Sequence, residues 1–301
     1  MDLDGHVVLP GILTDETQAR LIESLGRIVE LDATHQLARA SRKLALERAR
    51  DSPGATPEAK AAAKRALNSW GEDGGLGMRL SVGACVAEHD EYLESVVGHP
   101  QMLALAKGIL GENIRFDHCC SSSGRVGGDQ GMGYHSHSYA DERKTWAEAE
   151  VLPDDPGCGF IRIFFYINGF ELNNGNLKTV PGSHLFRRDL AHGRDDESLE
   201  KEWIKDKTHP VTGEPLQIRR LSCPPGSVVA MWTHAAHGVD PKPAGSPRRW
   251  ALITAYRNPG QPSVSRWMTP KFTQKPTPGL KMLEKDHVYP GYEWVPEYRR
   301  P

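Results

Sequence analysis

Seven consecutive residues, Ile161-Arg162-Ile163-Phe164-Phe165-Tyr166-Ile167, form a β-branched and aromatic run bounded by glycine-containing segments. That composition reads as a strand and commits the second half of the chain to sheet. Asn173-Asn174-Gly175-Asn176 follows as a tight turn signal, and Leu177 to Val180 resumes an extended segment that Pro181-Gly182 terminates. Gly226-Ser227-Val228-Val229-Ala230-Met231-Trp232 and Trp250-Ala251-Leu252-Ile253-Thr254-Ala255-Tyr256 read as two more strands.

The first 112 residues have a different character. Val7-Val8-Leu9-Pro10 is a short strand stopped by proline. Thr14 can cap a helix whose first turn carries Asp15 and Glu16, and Leu21, Ile22, Leu25, Ile28 and Val29 recur along it at helical spacing. From about Thr34 to Trp70 Ala, Arg, Lys and Glu dominate, with a break at Ser52-Pro53-Gly54. This reads as two solvent-rich helices, an insertion whose charges form a solvated face. A third amphipathic helix follows Pro100, with Leu103, Ala106, Ile109 and Leu110 on one side and Gly111 ending it. Helices first and strands later argue for an α+β fold. The strands are expected to roll into a double-sheet jelly roll, a double-stranded β-helix, within a single domain spanning 1–301. The charged stretch of about 187–216 contains Pro and Gly and is long enough to serve as a lid.

The chemistry is concentrated in histidines. In Tyr134-His135-Ser136-His137 two imidazoles stand at i and i+2, on one face of an extended strand. His237, in Ala236-His237-Gly238, is a third that the fold could bring back beside them. Three protein ligands with open positions opposite distinguish a catalytic metal site from a closed structural one.

Bulk properties exclude several alternatives. A formal net charge of -2 predicts neither nucleic-acid binding nor adhesion to an acidic membrane. No apolar run approaches the ~20 residues that span a bilayer. The five cysteines show no C-x-x-C spacing, so neither a disulfide framework nor a zinc ribbon is expected. A reducing compartment fits, and the start of the chain shows no signal-peptide pattern, so a cytoplasmic protein is expected.

These segments, in this order, resemble the phytanoyl-CoA dioxygenase family of Fe(II)/2-oxoglutarate oxygenases. Gly5-His6-Val7-Val8-Leu9-Pro10-Gly11 and, more loosely, Gly98-His99-Pro100 match its early part. Asn174-Gly175-Asn176-Leu177 leading into Val180-Pro181-Gly182-Ser183-His184 matches its turn and strand. Gly226-Ser227 followed by His237-Gly238 matches its last-ligand strand, and Arg249-x-Ala251 ending in Tyr256 its cosubstrate-anchoring strand. The family's metal motif is H-x-D with a distant histidine. Carried over, the resemblance makes His135 and His237 ligands of Fe(II) and puts His137 where the aspartate should be.

That departure has physical consequences. Fe(II), a 2-oxoglutarate dianion and one carboxylate sum to a charge of about -1, whereas an imidazole in place of the carboxylate gives about 0. Imidazole remains a good Fe(II) ligand, so His137 is the expected third ligand; the alternative makes it a substrate contact, with Asp141 or a water replacing the carboxylate. Halogenases of the family carry a small residue here to admit halide, which a histidine does not. The resemblance assigns Arg249, with Arg248 as its neighbour, to the distal carboxylate of 2-oxoglutarate, held by a guanidinium fork. Arg162 alternates with Ile161 and Ile163 and so points toward the cavity as a substrate or cosubstrate contact; Tyr134 and Trp232 are further candidates for the substrate, though either type is more often core. No catalytic side chain is expected beyond the metal ligands. The expected reaction is an oxygenation, most simply a hydroxylation, of a small organic substrate by O2. Two other readings stay open: a three-histidine metal dioxygenase without 2-oxoglutarate, and a catalytically inactive binding protein of the same fold.

Overall fold

The structure is a computed structural model and describes residues 1–68, 86–112, 114–121, 131–136, 159–172, 174–186, 191–193 and 195–258. Two five-stranded antiparallel sheets face each other as a jelly roll. The first has the order β1 (His6–Leu9), β8 (Ser227–Trp232), β4 (Gly159–Tyr166), β10 (Ala251–Asn258), β2 (Arg115–Ser121). The second has the order β6 (His192–Gly193), β3 (Met132–His135), β9 (His237–Val239), β5 (Leu177–Thr179), β7 (Arg219–Arg220). Every residue of β4 is buried, as its near-continuous apolar composition requires of a central strand covered on both faces.

The two-residue period of the strands sorts these side chains into separate cores. Ile161, Ile163 and Phe165 of β4 join Val228, Ala230, Leu252 and Tyr256 under the helices. Phe164 and Tyr166 turn the other way and meet Val229, Met231, Ala251, Ile253 and, from the second sheet, Leu177. This second cluster fills the space between the sheets. A third forms on the outer side of the second sheet, where Tyr134, Val180 and Ala236 pack against Leu199, Trp203, Ile204 and Leu216.

The helices cover the first sheet. Helix α1 (Asp15–Asp51) begins at Thr14, whose hydroxyl accepts a hydrogen bond from the Thr17 amide at 3.2 Å. It does not end near Thr34: the helix runs unbroken to Asp51, so the expected two-helix insertion is one extension of α1 plus α2 (Pro57–Asn68). No Gly or Pro lies between Ile28 and Asp51, and Ala, Leu, Arg, Lys and Glu are strong helix formers, so nothing local stops it. Helix α3 (Glu91–Val97) is capped by Asp90, which also accepts a 2.7 Å ion pair from Arg27 of α1. Helix α4 (Pro100–Leu110) has proline in its first turn and ends at Gly111, whose φ of 85° favours glycine. Leu21, Leu25, Leu93, Val97, Leu103 and Ala106 supply the buried face. The Tyr256 hydroxyl donates to the Val97 carbonyl at 2.6 Å and ties β10 to α3. None of the described helices is long and apolar enough to cross a membrane.

The charged stretch expected as a lid is, over 195–216 and 191–193, docked on the outer side of the second sheet. It contributes β6, the short helix α5 (Asp196–Leu199) and a π-helical turn, Glu200–Ile204, that buries Trp203.

Candidate metal centre

Strands β3 and β9 pair so that His135 stands directly opposite His237. Directly opposed residues share a face of the sheet. That face is the inner one, because Leu177 of neighbouring β5 belongs to the cluster between the sheets and Ala235, two residues before His237, does too. The two imidazole centroids lie 4.2 Å apart with 53° between ring planes. Two imidazoles bound side by side to one ion, at ~2.0–2.1 Å from metal to nitrogen, hold their centroids about 4–5 Å apart, so the pair fits a shared ion.

Backbone carbonyls select the tautomer. His135 Nδ1 lies 3.2 Å from the Gly133 carbonyl oxygen and His237 Nδ1 2.7 Å from that of Ala235. A carbonyl only accepts, so in the neutral rings each Nδ1 carries the proton and each Nε2 keeps its lone pair for a metal. Among the described residues no cluster of three or more His, Cys, Asp and Glu side chains completes the site. His137 and Asp141, the sequence's candidates for the third position, lie outside the described residues.

Arg249 lies two residues before β10 and is 6 % exposed. The two positions flanking it turn outward: Trp250 packs against the core under the helices, and half-buried Arg248 lies over the Trp250 ring at 5.2 Å. Asn168 fixes this orientation. Its amide donates to the Arg248 carbonyl and accepts from the Trp250 amide, both at 2.8 Å, so the backbone on either side of Arg249 is held by one side chain. Arg249 lines a cavity of 580 Å³ with Phe170, Asn174, Cys223 and Lys242. The lining comes from the turns after β4 and β9 and before β8, which gather at one end of the barrel. A Cβ on Gly175, at φ +71°, would stand 3.1 Å from Arg249 Nη1 and 3.2 Å from Lys242 Cβ, so this turn needs glycine for both conformation and room. Burial raises the Tyr166 hydroxyl well above its ordinary range, against the opposing charge of Arg249, and the phenol stays protonated. Burial likewise pushes the Cys223 thiol up to about 11.

The other sequence candidates separate by face. Arg162 is buried and, by alternation, shares the inward face of β4 with Phe164 and Tyr166. Tyr134 does not face the interior. It neighbours His135 on a strand and must point the opposite way, where its hydroxyl donates to Asp196 Oδ1 at 3.0 Å. Trp232 alternates with inward Met231 and packs against the core under the helices. Both placements are those of core residues, not of a substrate platform. Ser183 and His184 brace the turn after β5: the Ser183 hydroxyl accepts from the Ala236 amide at 2.8 Å, and His184 Nε2 lies 3.1 Å from the Asp2 carbonyl oxygen.

Sequence reasoning missed a charge network behind the histidines. Lys178 of β5 donates to Asp196 Oδ1 at 2.5 Å and Asp240 Oδ1 at 3.0 Å. Arg220 of β7 pairs with Asp240 at 2.8 Å and also with Asp196. Two cations and two carboxylates thus balance on the outer face of the strands that carry the imidazoles inside. Gly238 makes room for it, since a Cβ there would stand 3.3 Å from Lys178 Cε and 2.9 Å from the Met132 carbonyl oxygen. Burial pushes the Asp196 carboxyl up, but Lys178, Tyr134 and Arg220 together outweigh it and hold it below its ordinary 3.8. A carboxylate depressed in the folded state stabilises above its unfolded value and loses that contribution as pH falls through the folded one. Acid titration followed by near-ultraviolet circular dichroism should therefore show the packing around Trp203 intact above pH 3.8 and lost only below it.

A family model, phytanoyl-CoA dioxygenase, matches residues 1–250. The chain belongs to the phytanoyl-CoA dioxygenase family. Membership places it among the non-heme iron, 2-oxoglutarate-dependent oxygenases. No curated protein matches the chain significantly. Among solved structures, the chain is similar to HygX from Streptomyces hygroscopicus with nickel and 2-oxoglutarate bound, at 14% identity and TM-score 0.52, over 97% of this chain and 93% of that one. EctD from S. alaskensis with 2-oxoglutarate and 5-hydroxyectoine matches at 17% identity and TM-score 0.45, over 98% and 85%. EvdMO1 matches at 17% identity and TM-score 0.47 over 86% of this chain, which spans 48% of that protein's length. The HygX likeness agrees with the family's jelly-roll fold.

Proposed function

We propose that this family member hydroxylates a small organic substrate, with His135 and His237 as two ligands of Fe(II), His137 as the third and Arg249 as the anchor for 2-oxoglutarate. The observation that carries the reading is the pairing of His135 with His237 inside the barrel, each ring turned so that its Nδ1 meets a backbone carbonyl. When bound, iron and 2-oxoglutarate supply the oxidising power from dioxygen, with succinate and carbon dioxide as coproducts. The chain's own residues do the rest. Carbonyls of Gly133 and Ala235 orient the imidazoles, Asn168 aims Arg249 at the distal carboxylate, and Phe164, Val229, Met231 and Ile253 keep the space between the sheets apolar. Arg162 is the candidate for an acidic group of the substrate or cosubstrate. HygX, a structural neighbour, has a structure with nickel and 2-oxoglutarate bound, and the same pair of ligands suits this donor set.

A cytoplasmic location fits Cys119, Cys120 and Cys223, which are buried and not joined in disulfides; counting thiols on protein taken directly from cells checks it.

The direct test is anaerobic titration of the Fe(II)-loaded protein with 2-oxoglutarate. A metal-to-ligand charge-transfer band and, on admitting air, succinate release are expected; neither appearing would defeat the proposal. Arg249→Ala should weaken 2-oxoglutarate binding by at least about tenfold with metal content unchanged, because a buried charge-assisted pair is lost. Arg248→Ala, on the outward side over the Trp250 ring and away from the cavity, should change it by less than about threefold. Calorimetry giving the reverse order would mean that Arg249 is not the anchor.

A further inference from the structure

We infer that the Thr179 hydroxyl is a binding contact for 2-oxoglutarate, at the end of the cosubstrate held beside the histidines. The inference rests on the function proposed above. Thr179 closes β5 and is paired across the sheet with His237, which is paired in turn with His135. The three side chains therefore form one row on the inner face, threonine, histidine, histidine. The alternation of β5 confirms the direction: Leu177 lies in the cluster between the sheets, while Lys178 turns outward into the charge network.

The state of the hydroxyl then becomes informative. Thr179 is 0 % exposed, and its Oγ1 has no hydrogen-bond partner among the described residues. Buried polar atoms nearly always have partners, because a hydroxyl stripped of water and left unpaired destabilises the fold. Valine would fill this strand position with the same branching and no such penalty. A threonine next to the metal-binding row, directed inward and without a hydrogen-bond partner among the described residues, is accounted for if a ligand supplies the acceptor. A carboxylate is the acceptor that this site would hold, and a hydroxyl donor to a charged acceptor makes a short, strong bond. Arg249 lies before the start of β10, at the end of the barrel where β9 finishes, whereas Thr179 lies opposite the start of β9. The two residues would thus grip opposite ends of the molecule.

The experiment is calorimetric titration of nickel-loaded wild type, Thr179→Val and Thr179→Ser with 2-oxoglutarate, alongside thermal unfolding of each metal-free protein. For Thr179→Val we expect binding weaker by about tenfold or more, with nickel stoichiometry unchanged and a metal-free unfolding midpoint equal to or above wild type. Thr179→Ser, which retains the donor, should bind within about threefold of wild type. Binding by the valine variant equal to that of wild type would overturn the assignment. So would a fall in its metal-free midpoint, which would show the hydroxyl to be a structural partner. If nickel-loaded wild type itself fails to bind 2-oxoglutarate, it is the cosubstrate reading that falls, an outcome separable from a failure at Thr179.

Discussion

His237→Ala should lower the affinity for Fe(II) or Ni(II) by more than about 100-fold, exceeding the ~10–100-fold that loss of a supporting second partner costs at metal sites. It should abolish succinate release with it. The reason is geometric. His237 is almost fully buried, and its Nδ1 is committed to the Ala235 carbonyl, so the ring is held in one orientation beside His135. His135→Ala should match it, since the two rings face each other across one register pair. His137→Ala separates the two roles left open for that residue: a ligand would lose metal as His237 does, while a substrate contact would keep it. Metal analysis after gel filtration reads all three variants. Full metal retention in His237→Ala or His135→Ala would remove the pair from the site.

Lys178→Ala should destabilise the protein by about 3 kcal/mol, the lower part of the range for breaking a buried ion pair on one side. Lys178 is 7 % exposed at its side chain and is the more deeply buried of the two cations that Asp196 and Asp240 share. Without it, two carboxylates are left to Arg220, which is more than a third exposed and answers them only in part. Replacing Lys178 by methionine keeps the stem that crosses Gly238 and isolates the charge, so Lys178→Met should be almost as damaging as Lys178→Ala. Urea unfolding measures both. A methionine variant as stable as wild type would show that the stem, not the charge, holds the outer segment.

Much of the fold was legible because the relevant signals are local. The β-branched run of 161–167 marks β4, Thr14 marks the start of α1, and Pro100 with Gly111 brackets α4. Strand alternation requires that only one of Arg248 and Arg249 face inward, and the resemblance, through the spacing to Ala251 and Tyr256, points to Arg249. The same alternation separates Tyr134 from His135, since neighbours on a strand cannot share a face. Helix α3 escaped notice because seven residues hold too few turns for a periodic stripe, and its start depends on Asp90 meeting Arg27 from another helix. The network of Lys178, Asp196, Arg220 and Asp240 escaped for a different reason. Each charge, met singly in sequence, looks like a solvated surface residue, and only the docking of 195–216 onto the sheet buries them together. Thr179 carried no signal at all, because threonine is an ordinary strand residue until its hydroxyl is found without a partner.

The register that sets His135 against His237 also bears on how the molecule comes apart. An ion gripped by both rings would be a staple across two strands far separated along the chain, closing a long loop whose ends otherwise meet through only a short ladder. Release of the ion then requires that ladder to part, or a ring to swing out from its carbonyl. The off-rate of metal into a strong chelator would in that case be a clock for local opening of the second sheet. It should slow with whatever steadies the outer face of those strands, and quicken when Lys178 is removed, even though Lys178 never faces the ion.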